Sequence, residues 1–388
     1  MADVESYVPA AVRLHEYLVD AHWRDDGLCG PDPGIRFNYR IGRFLKSYLR
    51  GLQWKDDLYY LQGQGYWVLA NWELFDRTGS VAYAQLATAC SHSIVRSQCD
   101  DGGWMYPNRE WEGRVATVEG IWASMALMES YRRTGDERLI ETVRRWHKYL
   151  VQTIGFQRFG SEWAINYFAH KTGPPVPNNS ADALRFLSML AHVTGEEGVL
   201  EPCKGLTFFL RRAQKPTGEF PYLASPREDA PAPQPHFQCY QYNAFMCDGM
   251  MRYFELTGDS SIMPMITKVL GFVSQGVRQD GAVDYACGVG YRHVTYHAAV
   301  VAATFARAGQ LGVRGYEDAA NRVFGFVLSR QRGDGSFVYS TGDYRILSDR
   351  RSYPRYLAMM MYHLLQPGSK GLSGAITHGD PAQSRKSP

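Results

Sequence analysis

One phrase, Gln-x3-Gly-x-aromatic, constrains the fold of this chain more than any other feature. It stands at Gln98, Gly102 and Trp104, at Gln214, Gly218 and Phe220, and at Gln331, Gly335 and Phe337. Weaker copies, Gln157-Arg-Phe-Gly160-Ser-Glu-Trp163 and Gln279-Asp-Gly281, fall between them, which makes the period about 58 residues. That length fits one helical hairpin with a loop. A second phrase recurs half a period away, at Arg77-Thr-Gly79-Ser80, Arg133-Thr-Gly135-Asp136, Val193-Thr-Gly195-Glu196 and Leu256-Thr-Gly258-Asp259, with Arg307-Ala-Gly309-Gln310 as a looser fifth copy. Glycine suits the left-handed residue that ends a helix, and the Ser or Asp after Gly79, Gly135 and Gly258 suits the N-cap of the next one.

Apolar residues at helical spacing between these marks predict inner helices near 58–78, 117–134, 180–194, 236–257, 293–308 and 353–365. Outer helices fall near 4–22, 80–98, 137–152, 196–214, 260–276 and 315–331, and Glu141, Arg144, Arg145 and Lys148 mark a charged outer face. Twelve helices in six pairs imply an all-α chain, an (α/α)6 toroid of six helical hairpins with inner and outer layers, occupying residues 1–366 as one domain. The first predicted outer helix precedes the first inner one, so the last inner helix must close against the start of the chain. Residues 367–388, rich in Gly, Ser, Pro and Lys, read as a disordered tail.

Composition narrows the function. Charged residues are 21% of the chain and the formal charge is +3, with no basic run to follow a phosphate backbone, so no nucleic-acid partner is expected. The apolar runs are too short to cross a bilayer. No basic segment precedes an apolar one at the start, and the seven cysteines show no CxxC spacing, so a cytoplasmic location with reduced thiols is expected. Oligomeric state is not legible. Aromatic residues, 13% of the chain, must fill a core or line a pocket.

The loops at the Gln-x3-Gly phrases are long and the Thr-Gly turns short, so one rim is elaborate and carries function. The longest loop, 23–57, with Arg40, Arg43, Lys46 and Arg50, has the character of a lid. First turns of the inner helices should face a central pocket there. They supply Gln62 and Gln64, Glu119, Asn179 and Asp182, Gln241, Tyr242 and Asn243, His293, Tyr296 and His297, and Arg355 and Tyr356, while Trp104, Tyr106 and Arg109 come from a rim loop. Amides, phenols and flat rings suit a hydroxyl-rich ligand, because polar groups pair with hydroxyls and aromatic faces cover C–H surfaces.

The Gln98, Gly102, Trp104 phrase resembles the QW motif of squalene and hopene cyclases, whose toroid recurs in protein prenyltransferase β subunits. That resemblance implies the fold rather than the chemistry. The chain has no acidic DxDD phrase, and Asp284-Tyr-Ala-Cys287 followed by His293 and His297 departs from the prenyltransferase zinc spacing. Gln62-Gly63-Gln64 and Tyr296-His297 are similar to short stretches of the glucuronyl C5-epimerase helical domain, one of several α/α toroids, with six-hairpin glycosidases and sugar 2-epimerases, that act on sugars. The resemblance implies a carbohydrate-active hydrolase, lyase or epimerase taking a small sugar, oligosaccharide or uronic acid.

Several chemistries stay open. Glu119 and Asp182 would form the carboxyl pair of a glycosidase, or each would charge a helix N-terminus. Alternatively Tyr296 or His297 would remove a proton beside a carboxylate that Arg355 or Arg109 neutralises. His293 and His297, at i and i+4, would hold a divalent metal only with Asp284 or Cys287, and no cofactor is otherwise expected. The rival classes are an isoprenoid cyclase or prenyltransferase lacking DxDD, and a non-catalytic saccharide-binding ring.

Overall fold

The computed structural model describes residues 7–33, 41–49, 56–108, 111, 113–225 and 239–369. Its inner layer consists of α3 (Leu61–Thr78), α5 (Thr117–Thr134), α7 (Pro177–Thr194), α9 (Cys239–Thr257), α11 (Thr295–Gln310) and α13 (Pro354–Leu365). Each packs on the next, and α13 packs back on α3, so the inner layer is a closed ring. The outer helices α4 (Val81–Arg96), α6 (Glu137–Tyr149), α8 (Cys203–Ala213), α10 (Met263–Ser274) and α12 (Glu317–Leu328) each cover the inner helix before them. The sixth outer helix, α1 (Val8–His22), covers α13 at the opposite end of the chain. This is the (α/α)6 toroid that the repeats imply. A short α2 (Ile41–Tyr48) lies on the elaborate rim.

The repeat phrase turns out to be the joint between neighbouring hairpins. The Gln98 side chain donates from Nε2 to the Gly102 carbonyl at 2.9 Å and to the Thr142 carbonyl of α6 at 3.1 Å. Gln214 does the same with Gly218 and Met265 of α10, each at 3.0 Å. Gln331 donates to Gly335 at 3.0 Å and to Ala10 of α1 at 2.9 Å, so the third copy closes the ring. Gly335 has a φ of +87°, and a Cβ there would meet the Arg13 carbonyl at 2.3 Å, which explains why the phrase needs glycine. Replacing Gln331 with alanine is expected to cost about 1–3 kcal/mol, the value of a buried carbonyl left unpaired. Urea unfolding would measure that loss, and faster amide exchange within α1 in Gln331→Ala, but not in Gln98→Ala, would locate it at the closure.

The short turns follow the reading with two corrections. Gly79, Gly135, Gly195 and Gly258 all end inner helices in the left-handed region, and the Asp136 and Asp259 side chains accept from the backbone two residues on. Ser80 occupies the N-cap of α4 but makes no side-chain cap; the Thr78 hydroxyl accepts from its amide instead. At the fifth turn α11 continues through Gly309, and Gly312 is the left-handed residue.

Small antiparallel pieces decorate the elaborate rim, and periodicity gives no sign of them. They are β1 (Trp23–Arg24) with β2 (Gly27–Leu28), β3 (Phe156–Phe159) with β4 (Glu162–Ile165), and β5 (His293–Val294) with β6 (Ser340–Asp343) and β7 (Leu347–Asp349). The weak copy at Gln157 is therefore a hairpin and not a joint; its side chain donates to Asn166 and to the Gly173 carbonyl. The tail read as disordered falls outside the described residues from 370 onward, as do parts of the 23–57 loop. Among the described residues no helix is long and apolar enough to cross a membrane.

Candidate active site

The N-terminal turns of the six inner helices converge under the elaborate rim on a cavity of about 280 Å³. Helix N-termini carry unpaired N–H groups and partial positive charge, so this end of the ring favours acceptors and anions. Each inner helix supplies wall residues: Gln62 from α3, Glu119 from α5, Asn178, Asn179 and Asp182 from α7, Gln241 and Tyr242 from α9, Tyr296 from α11, and Arg355 and Tyr356 from α13. Below them Tyr66 stacks on Trp122 at 3.9 Å, with the Tyr362 ring 5.3 Å from Tyr66 and the Arg185 guanidinium 4.7 Å from the Trp122 ring centre. These rings close the axial shaft.

Glu119 is buried, and its two oxygens have different surroundings. Its Oε2 accepts from the Gln62 amide at 2.8 Å, capping the neighbouring helix, whereas Oε1 lies 3.7 Å from Arg355 and has no hydrogen-bond donor. Burial raises its pKa to about 7, against the opposing pull of Arg355. Asp182 is likewise buried, and desolvation raises it to about 7 although Arg185 pulls it down. Two carboxyl groups on adjacent inner helices are thus poised near neutrality in one cavity.

Arg355, on α13, is the hub of the wall beside Glu119. It pairs with Asp32 at 2.7 Å, donates to the Tyr356 hydroxyl at 2.7 Å and lies over the Tyr60 ring at 4.1 Å. Tyr106, Tyr167, Tyr242 and Tyr296 have their phenol pKa values pushed up, chiefly by burial, so these hydroxyls stay protonated. One amide atom each of Asn178, Asn179 and Gln241 is buried without a hydrogen-bond partner, as is Glu119 Oε1. Buried atoms of this kind also occur elsewhere in the ring, at Trp67, Ser124 and Trp146 among others, but these four border one open space that a ligand can enter.

Ten of the sixteen candidate residues line the cavity: Gln62, Tyr106, Glu119, Asn179, Asp182, Gln241, Tyr242, Tyr296, Arg355 and Tyr356. Five do not, and one, Arg109, lies outside the described residues. Gln64 turns to the outer layer and brackets the Leu28 backbone at 2.8 and 2.7 Å. Asn243 does the same for Phe220, and Trp104 is core, 5.4 Å from Trp146. His293 faces the Val283 carbonyl at 3.1 Å and the Phe326 ring edge. His297 stacks on Tyr285 behind the wall, and burial pushes its pKa well down. Neither ring joins Asp284 or Cys287 in a cluster; among the described residues no three His, Cys, Asp or Glu groups are placed to hold a metal.

The residues that sequence reasoning missed come from loops and short strands. Pro33, Tyr167, Tyr285, Arg292 and Tyr339 all line the cavity, Asp32 backs it through its pair with Arg355, and Arg292 pairs with Asp343 at 2.5 Å. A cationic residue directly before β5 and the aromatic after Asp284 were the available signals. Neither is periodic.

No protein-family model and no curated protein matches the sequence. Solved structures do match in shape. Cellobiose 2-epimerase from Bacillus thermoamylovorans superposes with a TM-score of 0.70 at 13% identity, over 93% of this chain and 99% of that one. A D-mannose isomerase gives 0.71 at 10% identity, over 94% and 97%. A family 88 glycosyl hydrolase from Bacteroides vulgatus gives 0.65 at 9% identity, over 94% and 98%. At these identities the likeness shows the fold, an (α/α)6 toroid.

Proposed function

We propose that the cavity takes one ring of a saccharide and that Glu119 and Asp182 move protons on it, which makes the chain a carbohydrate-active hydrolase, lyase or epimerase. The observation that carries this reading is that four buried polar atoms without a hydrogen-bond partner, Glu119 Oε1 and one amide atom each of Asn178, Asn179 and Gln241, border a cavity of about 280 Å³. Leaving such atoms unpaired costs about 1–3 kcal/mol each, and a polyhydroxyl ligand offers both donors and acceptors. The volume is near the lower end of small-molecule sites, about 300–1,000 Å³, which suits one sugar ring. Aromatic groups, Trp111, Trp122 and Phe245 among them, supply flat faces for C–H surfaces. An isoprenoid chain would leave the amides and carboxyls unpaired. The names of the solved toroids, a cellobiose epimerase, a mannose isomerase and a glycosyl hydrolase, belong to the same class of chemistry.

In this reading the protonated carboxyl serves as acid and the ionised one as base, since pKa values near the operating pH make both forms available. Tyr296 acts as a donor, because burial moves its phenol away from the anionic form a base needs. Arg355, fixed by Asp32 and Tyr356, steadies negative charge developing beside Glu119. Seven cysteines without a disulfide fit a reducing, cytoplasmic setting.

Incubation of the whole chain in D2O with neutral and uronic-acid di- and oligosaccharides tests the proposal. Deuterium at an inverted ring carbon marks epimerisation, a new reducing end hydrolysis, and an unsaturated product elimination. If saccharides bind but none is altered, the ring is a binding protein; if only isoprenyl diphosphates bind, the reading fails.

A further inference from the structure

A second cavity, of about 460 Å³, opens at the plain rim, with the Tyr66, Trp122 and Tyr362 rings between it and the first. At its mouth, cations and anions balance: Arg77 pairs with Glu73 at 2.9 Å, Arg132 with Glu129 at 2.9 Å and Arg133 with Asp76 at 2.7 Å. These arginines sit in the last turns of α3 and α5, where a cation complements the carbonyl end of a helix. Deeper in, the wall is made by Arg185 and Arg252, which stand more than a turn inside α7 and α9.

Those two, with Arg307 behind them, share two carboxylates. Asp248 accepts from Arg185 at 2.8 Å and Arg307 at 2.7 Å, while Glu255 lies 2.9 Å from both Arg307 and Arg252. Three guanidiniums against two carboxylates leave one positive charge over within these ion pairs, and Asp182, which also feels Arg185, offsets it only as pH rises through about 7, where its buried carboxyl ionises. His363 beside them does not change the balance, since burial lowers its pKa to about 3 and keeps it neutral. Arg252 is 8% exposed, lines the cavity and has a single ion pair, with the already shared Glu255. Burial and the neighbouring Arg307 lower its pKa, which is the mark of a cation short of counter-charge. Arginine presents a planar fork of N–H donors that matches carboxylate and phosphate oxygens.

We propose that the plain-rim cavity is a binding site for a small oxyanion, a carboxylate or phosphate group carried by a metabolite, held by Arg252 and Arg185. It is separate from the saccharide cavity and does not depend on that reading. Calorimetric titration of the whole chain with inorganic phosphate and with citrate, at constant ionic strength set by chloride, tests it. Saturable binding of either probe is expected, weakened at least about tenfold by Arg252→Met and unchanged by Glu119→Gln. A preference between the two probes identifies the oxyanion. Binding no stronger than that of chloride, or affinity unmoved by Arg252→Met, overturns the proposal. Should Arg252→Met fail to fold, hydrogen exchange on the unaltered chain decides: probe-induced protection in 248–257 and 362–369, the parts of α9 and α13 that border this cavity and the residues after them, supports the site. Protection confined to the first turns of the inner helices overturns it.

Discussion

Glu119→Gln is expected to lower kcat on the saccharide substrate by about 10²- to 10⁴-fold, the range for a lost general acid or base, with KM changed far less. The substitution isolates chemistry from architecture. Glutamine keeps an oxygen to accept from the Gln62 amide, now bonded to Oε2 at 2.8 Å, so the cap on α3 survives. What disappears is the proton that the carboxyl exchanges near neutral pH. Full turnover in a folded Glu119→Gln protein would reduce Glu119 to that capping role and remove it from the reaction.

Stability should move in the opposite direction, and its pH dependence gives the sign. In the folded chain Glu119 and Asp182 have pKa values of about 7, against ordinary values of 4.5 and 3.8. Between those limits the folded state binds more protons than the unfolded one, so stability is highest below about pH 4 for these two groups and falls as pH rises through 7. Glu119→Gln removes its share of that penalty. It should unfold at a higher temperature than the parent at pH 8 and at nearly the same temperature at pH 4. A residue present only to cap a helix would show the reverse, with the parent the more stable at pH 8.

The ring was legible because its joints are made by residue types that cannot be exchanged. Gln98, Gln214 and Gln331 each bridge two carbonyls, and Gly102, Gly218 and Gly335 each press against the backbone of the next outer helix. Both demands leave a mark at fixed spacing. The cavity was legible only to the level of the turn. Successive helical residues point about 100° apart, so Gln62 and Gln64 in one first turn face opposite ways, as do Gln241 and Asn243. Spacing alone does not say which of each pair faces the axis. Pro33, Arg292 and Tyr339 were invisible for another reason: they reach the wall from loops and strand edges whose course depends on the finished ring.

The buried ion network under the aromatic floor carries the largest expected effect on stability. Asp248, on α9, joins Arg185 of α7 to Arg307 of α11, while Arg185 donates to Tyr362 of α13 at 3.1 Å and Arg307 to Gln366 at 2.8 Å. Four of the six inner helices meet in this one set of contacts. Its arginines hold the Asp248 carboxyl well below the usual range despite its burial. Asp248→Asn keeps the shape but leaves three guanidiniums with one carboxylate, and removing one partner of a buried pair costs about 3–5 kcal/mol. Urea unfolding should show that loss unchanged from pH 5 to 8, because a carboxyl depressed in the folded state contributes fully above its ordinary 3.8 and fades only as pH falls below it. Arg185→Met with Asp248→Leu should cost less than Asp248→Asn alone, since it removes a charge of each sign. If the single change costs no more than the double, the network stabilises the ring by packing rather than by charge.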